Sequence, residues 1–278
     1  MTSSGDPVSI HPELDDAEER DVLGRGTLDI EARILPASNV TLVGTASLEG
    51  RTLRCVYKPV SGERPLWDFP DGTLAAREVA AYVVSEDLRW GVVPLTIERD
   101  GPLGRGMVQV WREPAEQHSA VDVVPEGQVP AGFLHVLDAR DETGHAVTLV
   151  HEDTHELRKM AVFDALVNNA DRKGGHVLAM ADGRRLGVDH GVCFHTEPKL
   201  RTVLWGWATL PLREVEEDAL RGFLERLESR DHPLLGRLGG LLSPAETAAL
   251  RQRCADLLEH RRLPLPSGDW PAIPWPAF

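Results

Sequence analysis

The chain has 278 residues, 42% hydrophobic and 27% charged, with 44 acidic against 30 basic residues and a formal net charge of −14. That is an ordinary globular composition, long enough for one large domain or two small lobes around a sizeable core. Its acidity weighs against nucleic acid and anionic membrane surfaces as partners. Three widely spaced cysteines, Cys55, Cys193 and Cys254, weigh against a disulfide framework or a zinc site, and reduced thiols in a cytoplasmic protein are expected.

Residues 1–22, rich in Asp, Glu, Ser and Pro, predict a flexible acidic arm. They carry no basic segment followed by an apolar run, and no stretch of the chain approaches the roughly 18 apolar residues of a membrane span. Neither a secretory signal nor stable membrane insertion is expected. From Thr27 the residues alternate in polarity, and 27–35, 40–48 and 52–60 read as three strands of an antiparallel meander. Residues 73–88 read as a helix, with Asp71 or Thr73 as its cap. Two more strands are predicted near 92–99 and 106–113. The stretch 114–150 is mixed, with 132–139 as a candidate helix. Residues 155–170 predict an amphipathic helix, and 181–194 a hairpin turning at Asp182-Gly183. Two helices follow, the second opened by Ser243 with Glu246 three residues on. A tail rich in Pro and Trp is expected to pack as an extended strap. Strands first and helices after predict an α+β protein of two lobes: an arm over 1–22, an N-lobe over 23–112 and a C-lobe over 113–278.

Four features follow one another in a telling order. Lys58 ends the third strand and Glu78 lies in the next helix. Asp171 sits in the string Asn-Ala-Asp-Arg-Lys-Gly-Gly-His, residues 169–176, directly after a helix. Asp189 sits in Val-Asp-His-Gly, residues 188–191. Phosphoryl transfer needs a triphosphate held, its charge neutralised and the acceptor oriented. A strand lysine can neutralise phosphates while a helix glutamate holds it in place. One loop aspartate can take the acceptor's hydroxyl proton, and another can bind a bridging magnesium ion. Each residue alone reads more readily as a solvated charge or a turn residue; their order and context carry the inference.

With these strings the chain resembles the phosphatidylinositol 3-/4-kinase-like group, which includes the type II phosphatidylinositol 4-kinases and HipA-type bacterial kinases. It also resembles an uncharacterised actinobacterial kinase-like branch with the same NNADRKGGH and VDHG strings. The resemblance covers Thr27 to at least Leu212 and implies a protein-kinase-like fold that uses ATP with Mg2+ or Mn2+. It implies a phosphate-covering loop at residues 36–39, with Ser38 and Asn39 as donors, and Lys58 and Glu78 as the ATP lysine and its partner. Gln109, Val110 and Trp111 would lead into the adenine hinge. Asp171 and Arg172 would be the catalytic pair, Asp189 the metal aspartate, and residues 204–207 part of the activation segment. Where the family carries a metal-binding asparagine, this chain has His176, which leaves open a weakened metal site, manganese, a phosphate contact or a plain loop hydrogen bond. The phosphate loop lacks glycine, and the palmitoylated cysteine stretch of the lipid kinases is absent.

The expected function is transfer of the γ-phosphate to a hydroxyl of an unidentified protein, lipid headgroup or metabolite. A nucleotide-binding pseudokinase with a regulatory role and an AMP-transferring enzyme are the alternatives. His151, Glu152, Asp153, His155 and Glu156 cluster like metal ligands, but read better as a helix start rich in acids. The acidity argues mildly for a soluble or basic partner over an anionic membrane, a preference that a local basic patch around Lys199 and Arg201 would reverse.

Overall fold

The computed structural model describes residues 14–35, 39–116, 118–268 and 270–278. Residues 16–22 of the expected flexible arm belong instead to helix α1, Asp16–Arg25. Asp15 accepts from the amides of Ala17 (2.9 Å) and Glu18 (2.8 Å), and the Glu18 carboxylate accepts from Asp15 N (3.1 Å). This reciprocal cap satisfies amides that would otherwise be orphaned at the helix start. Val22 and Leu23 of α1 are fully buried against the sheet, and Glu19 accepts two hydrogen bonds from Arg112. Of the expected arm, residues 1–13 lie outside the described residues.

Strands β1 (Thr27–Arg33), β2 (Leu42–Leu48) and β3 (Arg51–Pro59) form the expected meander. Helix α2, Leu74–Asp87, crosses to β4 (Thr96–Gly101) and β5 (Gly104–Val110), giving an antiparallel sheet in the order β1-β2-β3-β5-β4. Thr73 begins α2 without a side-chain cap. The Glu63 carboxylate does that work, accepting from Leu74 N (3.1 Å) and Ala75 N (2.8 Å), which also suits the positive end of the helix dipole.

Beyond Trp111 lies a second antiparallel sheet of β6 (Val121–Pro125), β7 (Phe133–Arg140) and β8 (Ala146–Glu152), in the order β6-β8-β7. The candidate helix over 132–139 is therefore strand β7. Its apolar residues at 133, 134, 136 and 137 fit helical spacing as well, because a bulge between His135 and Leu137 interrupts the alternation. Helix α3, His155–Val167, is capped by Thr154. The short pair β9 (Val177–Ala179) and β10 (Arg185–Gly187) makes a hairpin turning at Asp182-Gly183 as expected, but over 177–187 rather than 181–194. Helices α4 (Glu214–Glu228), α5 (Pro233–Gly239) and α6 (Pro244–His260) complete this half, and Ser243 and Glu246 form the expected cap of α6.

The result is an α+β, two-lobed arrangement: a small antiparallel sheet with one crossing helix, then a mainly helical part. One core lies under the first sheet, around Val22, Tyr57 and Val108. A larger one surrounds α3 and takes in Ala80, Ala81, Val83 and Val84 of α2, so α2 joins the lobes. The tail does pack as a strap: Ala272 O accepts from Thr202 N (3.0 Å) and from Trp205 Nε1 (2.8 Å), and Ala277 O accepts from Gly174 N (2.8 Å). Among the described residues no helix is long and apolar enough to cross a membrane.

Candidate active site

The alternation along β3 turns Cys55 and Tyr57 into the core and leaves Lys58 on the other face. From there Lys58 Nζ reaches Glu78 Oε1 at 2.6 Å and Asp189 Oδ1 at 2.7 Å. Glu78 is buried on α2, and its second oxygen accepts from the amide of His190 at 2.8 Å. One carboxylate thus ties the sheet lysine to the chain just past Asp189. Asp189 adopts φ 62, a left-handed conformation uncommon for a residue with a Cβ. Such strain persists only where the surroundings impose it, and it clusters at functional sites. Here it lets the carboxylate face Lys58 while His190 is buried beneath, edge-on to Phe163 (centroids 5.7 Å apart).

The loop after α3 is fixed from below. Asn168 ends the helix in a left-handed conformation and holds the chain beyond Asp189: its side chain donates to His195 O (2.9 Å) and Glu197 O (2.7 Å) and accepts from Lys199 N (2.9 Å). Asn169 donates to Asp164 (3.0 Å) and accepts from Asp171 N (3.0 Å). Arg172 is fully buried in a two-point pair with Asp164 (2.8 and 2.9 Å) and donates to the carbonyls of His176 and Val188 (3.1 Å each). It also donates to His190 Nε2 at 2.7 Å. Arg172 was expected beside Asp171 as a catalytic residue. Its burial makes it a positioning residue, which holds the loop of Asp171 and the loop of Asp189 to one another.

Charge distribution follows from this packing. Lys58 holds the Asp189 carboxyl below the usual carboxylate range, against partial desolvation of a half-exposed side chain. Burial opposes the Lys58 charge, but Asp189 and Glu78 outweigh it and raise its pKa. Burial pushes Glu78 up, with Lys58 pulling the other way. Burial also raises the Asp171 carboxyl, partly offset by Lys173 and Arg201, whose nitrogens lie 3.6 and 3.8 Å from its oxygens. His176 is pushed down to about 4 by burial and is neutral near pH 7. Its Nδ1 lies 2.9 Å from Asp171 O, a group that can only accept. The proton therefore sits on Nδ1, and Nε2 presents a lone pair to Asp189 Oδ2 at 3.4 Å.

Other expected site residues lie elsewhere. Ser38 lies outside the described residues, and Asn39 uses its Oδ1 to accept from Arg64 N (2.8 Å). Gln109 is buried within the sheet and donates to Thr96, its cross-strand neighbour, at 2.8 Å, so its side chain is not free for a nucleotide. Val110 is a core residue whose amide donates to Leu95 O, and the Trp111 amide donates to Arg54 O. Lys199 is buried rather than part of a basic patch: it pairs with Asp68 at 2.6 Å between the rings of Trp67 and Trp270. Reading the sequence alone missed Asp164, although a carboxylate flanked by Phe163 and Ala165 on an apolar helix face is a signal in itself, because buried charge demands a partner. His151 is no metal ligand: its Nδ1 donates to Glu152 O (2.9 Å) and its Nε2 accepts from Gly206 N (3.0 Å).

No family model matches the chain. Among solved structures it is similar to the Helicobacter pylori proinflammatory kinase CtkA, with a TM-score of 0.42 and 11% identity over 87% of this chain and 94% of that one. That likeness is too loose to transfer any residue's role. By contrast, the chain is 50% identical over 270 residues to Protein Rv2133c of Mycobacterium tuberculosis (strain ATCC 25618 / H37Rv), spanning 94% of this chain and 96% of that protein. An alignment this complete places the chain in the same family as Protein Rv2133c.

Proposed function

We propose that the protein is an ATP- and divalent-metal-dependent phosphotransferase of the phosphatidylinositol 3-/4-kinase-like kind, acting on a hydroxyl-bearing acceptor. The observation that carries the reading is the convergence of two carboxylates, Glu78 from a helix and Asp189 from a strained loop, on the Nζ of the strand residue Lys58. A structural ion pair needs only one carboxylate. A second, half-exposed carboxylate on a strained backbone suits a lysine that exchanges one partner for phosphate oxygens.

On this reading Lys58 neutralises the phosphates and Glu78 keeps it aimed. Asp189, half-exposed, and the free lone pair of His176 Nε2 are the side chains that would hold the cation. Among the described residues no three His, Cys, Asp or Glu side chains form a metal site by themselves. That fits magnesium, which takes few protein ligands and completes its shell with phosphate and water, while an imidazole ligand shifts preference toward manganese. The bound ion would supply neutralisation of phosphate charge. Asp171, with its raised pKa, is the candidate base for the acceptor hydroxyl. Adenine recognition would fall to main-chain groups beyond Trp111, since the side chains of Gln109 and Val110 belong to the sheet.

The test is turnover with ATP and Mg2+ or Mn2+, with acceptor products read by intact mass. Asp171→Asn is expected to lower turnover by about 10²–10⁴-fold while nucleotide affinity changes little. Full activity in that variant overturns the role of Asp171. A mass gain of AMP instead of phosphate assigns the other transfer. Saturable ATP binding with no transfer to any acceptor points to a regulatory nucleotide-binding module.

A further inference from the structure

Besides Lys58 and Asp189, a second contact ties the first sheet to the second half. Residues 60–73, between β3 and α2, hold a different partner with each end. The end near β3 holds the sheet: Gly62 O accepts from Val40 N (3.0 Å), Arg64 N donates to Asn39 Oδ1 (2.8 Å) and Ser61 Oγ donates to Leu103 O (3.0 Å). These bonds reach the β1–β2 and β4–β5 turns. Gly62 packs so closely that a Cβ there would lie 2.5 Å from Val40 Cβ. The end near α2 holds the second half. Asp68 pairs with Lys199 Nζ at 2.6 Å, Asp68 O accepts from His195 Nε2 at 2.9 Å, and the Phe69 ring stands edge-on to His195 with centroids 5.2 Å apart. His195 and Lys199 are in turn bonded to Asn168, where the loop of Asp171 begins.

We infer that Asp68 and Lys199 are positioning residues that latch the two lobes shut, and that a nucleotide enters and leaves when this latch opens. The inference rests on the phosphotransferase reading for the identity of what passes. The Lys58 side chain is only 18% exposed and both its hydrogen bonds go to carboxylates, so a triphosphate cannot reach it without movement of the lobes. Helix α2 does not supply that movement. Its core residues pack into the second half, and its Arg77 donates to Cys193 O at 2.6 Å and pairs with Glu246. The sheet moves instead, and residues 60–73 are its link on the β3 side. The bolt of that link is a charge pair, with Lys199 buried and Asp68 nearly so. Such a pair returns little net stability, because both ions lose their hydration; what it is suited to is fixing one arrangement. Its cover is thin. The Trp67 ring lies 4.6 Å from Lys199 Nζ and the Trp270 ring 4.5 Å, and Trp67 is itself 85% exposed. Parting the pair therefore rehydrates both ions without unpacking either core, the kind of local opening that costs least.

Stopped-flow binding of a fluorescent anthraniloyl derivative of ATP with Mg2+ to the full chain tests it, in the wild type, in Lys199→Met and in Asp68→Asn/Lys199→Gln. The double variant leaves no charge buried and serves if Lys199→Met fails to fold. Association and dissociation are both expected to quicken by about tenfold or more, with affinity within about twofold of wild type, because a latch that touches no nucleotide speeds both directions alike. Without nucleotide, hydrogen exchange is expected to quicken in residues 62–69 and 195–199 together. Unchanged rates, or faster dissociation alone with weaker affinity, overturn the latch. Absence of saturable nucleotide binding in the wild type overturns the phosphotransferase reading instead. The latch is then judged by the exchange, and quickening in one segment alone, or in neither, overturns it.

Discussion

At the scale of single residues, burial decides which charges act and which hold. Arg172 and Asp164 are both fully buried and satisfy each other. Removing one partner leaves an uncompensated charge, so Arg172→Met is expected to cost about 3–5 kcal/mol in urea unfolding. A loss under 1 kcal/mol would show that the pair does not anchor the loops. His151 makes a pH prediction. Burial lowers its pKa from the usual 6.5, and its Nε2 must stay unprotonated to accept from Gly206. The unfolded chain binds a proton as pH falls through about 6.5, whereas the folded chain does so only at lower pH. Its contribution is thus fully present above pH 6.5 and declines as pH falls toward the folded value. His151→Gln is expected to flatten the stability profile between about pH 5 and 7; an unchanged slope would contradict the assignment. Gly206 is constrained by the same contact, since a Cβ there would lie 2.6 Å from His151 Nε2.

At the scale of elements, the sequence was most readable where pattern and punctuation agreed. The β-meander, α3, the Asp182-Gly183 hairpin and the capped α6 all combine periodicity with a turn or cap, while α2 was legible from periodicity alone. Helix α1 was hidden because its residues are mostly charged and only Val22 and Leu23 are buried hydrophobics; the signal present was the spacing of Asp15 and Glu18. Strand β7 was hidden by its bulge. The capping of α2 by Glu63 joins residues 11 and 12 positions apart, which no local pattern reveals. Glu63→Ala is expected to destabilise the chain by about 1 kcal/mol through loss of the cap, read as a shift in thermal midpoint. Because α2 carries Glu78, the same variant is expected to weaken nucleotide binding. A variant equal to wild type in both would show that Glu63 does not set the helix start.

At the scale of the whole molecule, the site is a joint between lobes. Lys58 comes from the first sheet, Glu78 from the helix shared by both cores, and Asp189 from the second half, 131 positions along the chain from Lys58. The candidate lysine and its two carboxylates were legible because residue type and order were enough to name them. Asn168, Asn169, Asp164 and the Arg172 clamp were not, because their roles depend on burial and on contacts made only in the folded chain. Gln109 shows the same limit: its place in the sequence did not reveal that its side chain is buried and bonded across the strands to Thr96.

On the proposed function, Lys58 and Asp189 meet around a bound nucleotide and its cation. Calorimetric titration of the full chain with ATP in Mg2+ or Mn2+, beside Lys58→Met and Asp189→Asn, tests it most directly. The account predicts a single saturable site in the wild type, weakened by about tenfold or more in each variant, and in Asp189→Asn no longer dependent on the metal. Affinity unchanged by either substitution, or no saturable binding with either metal, would contradict it.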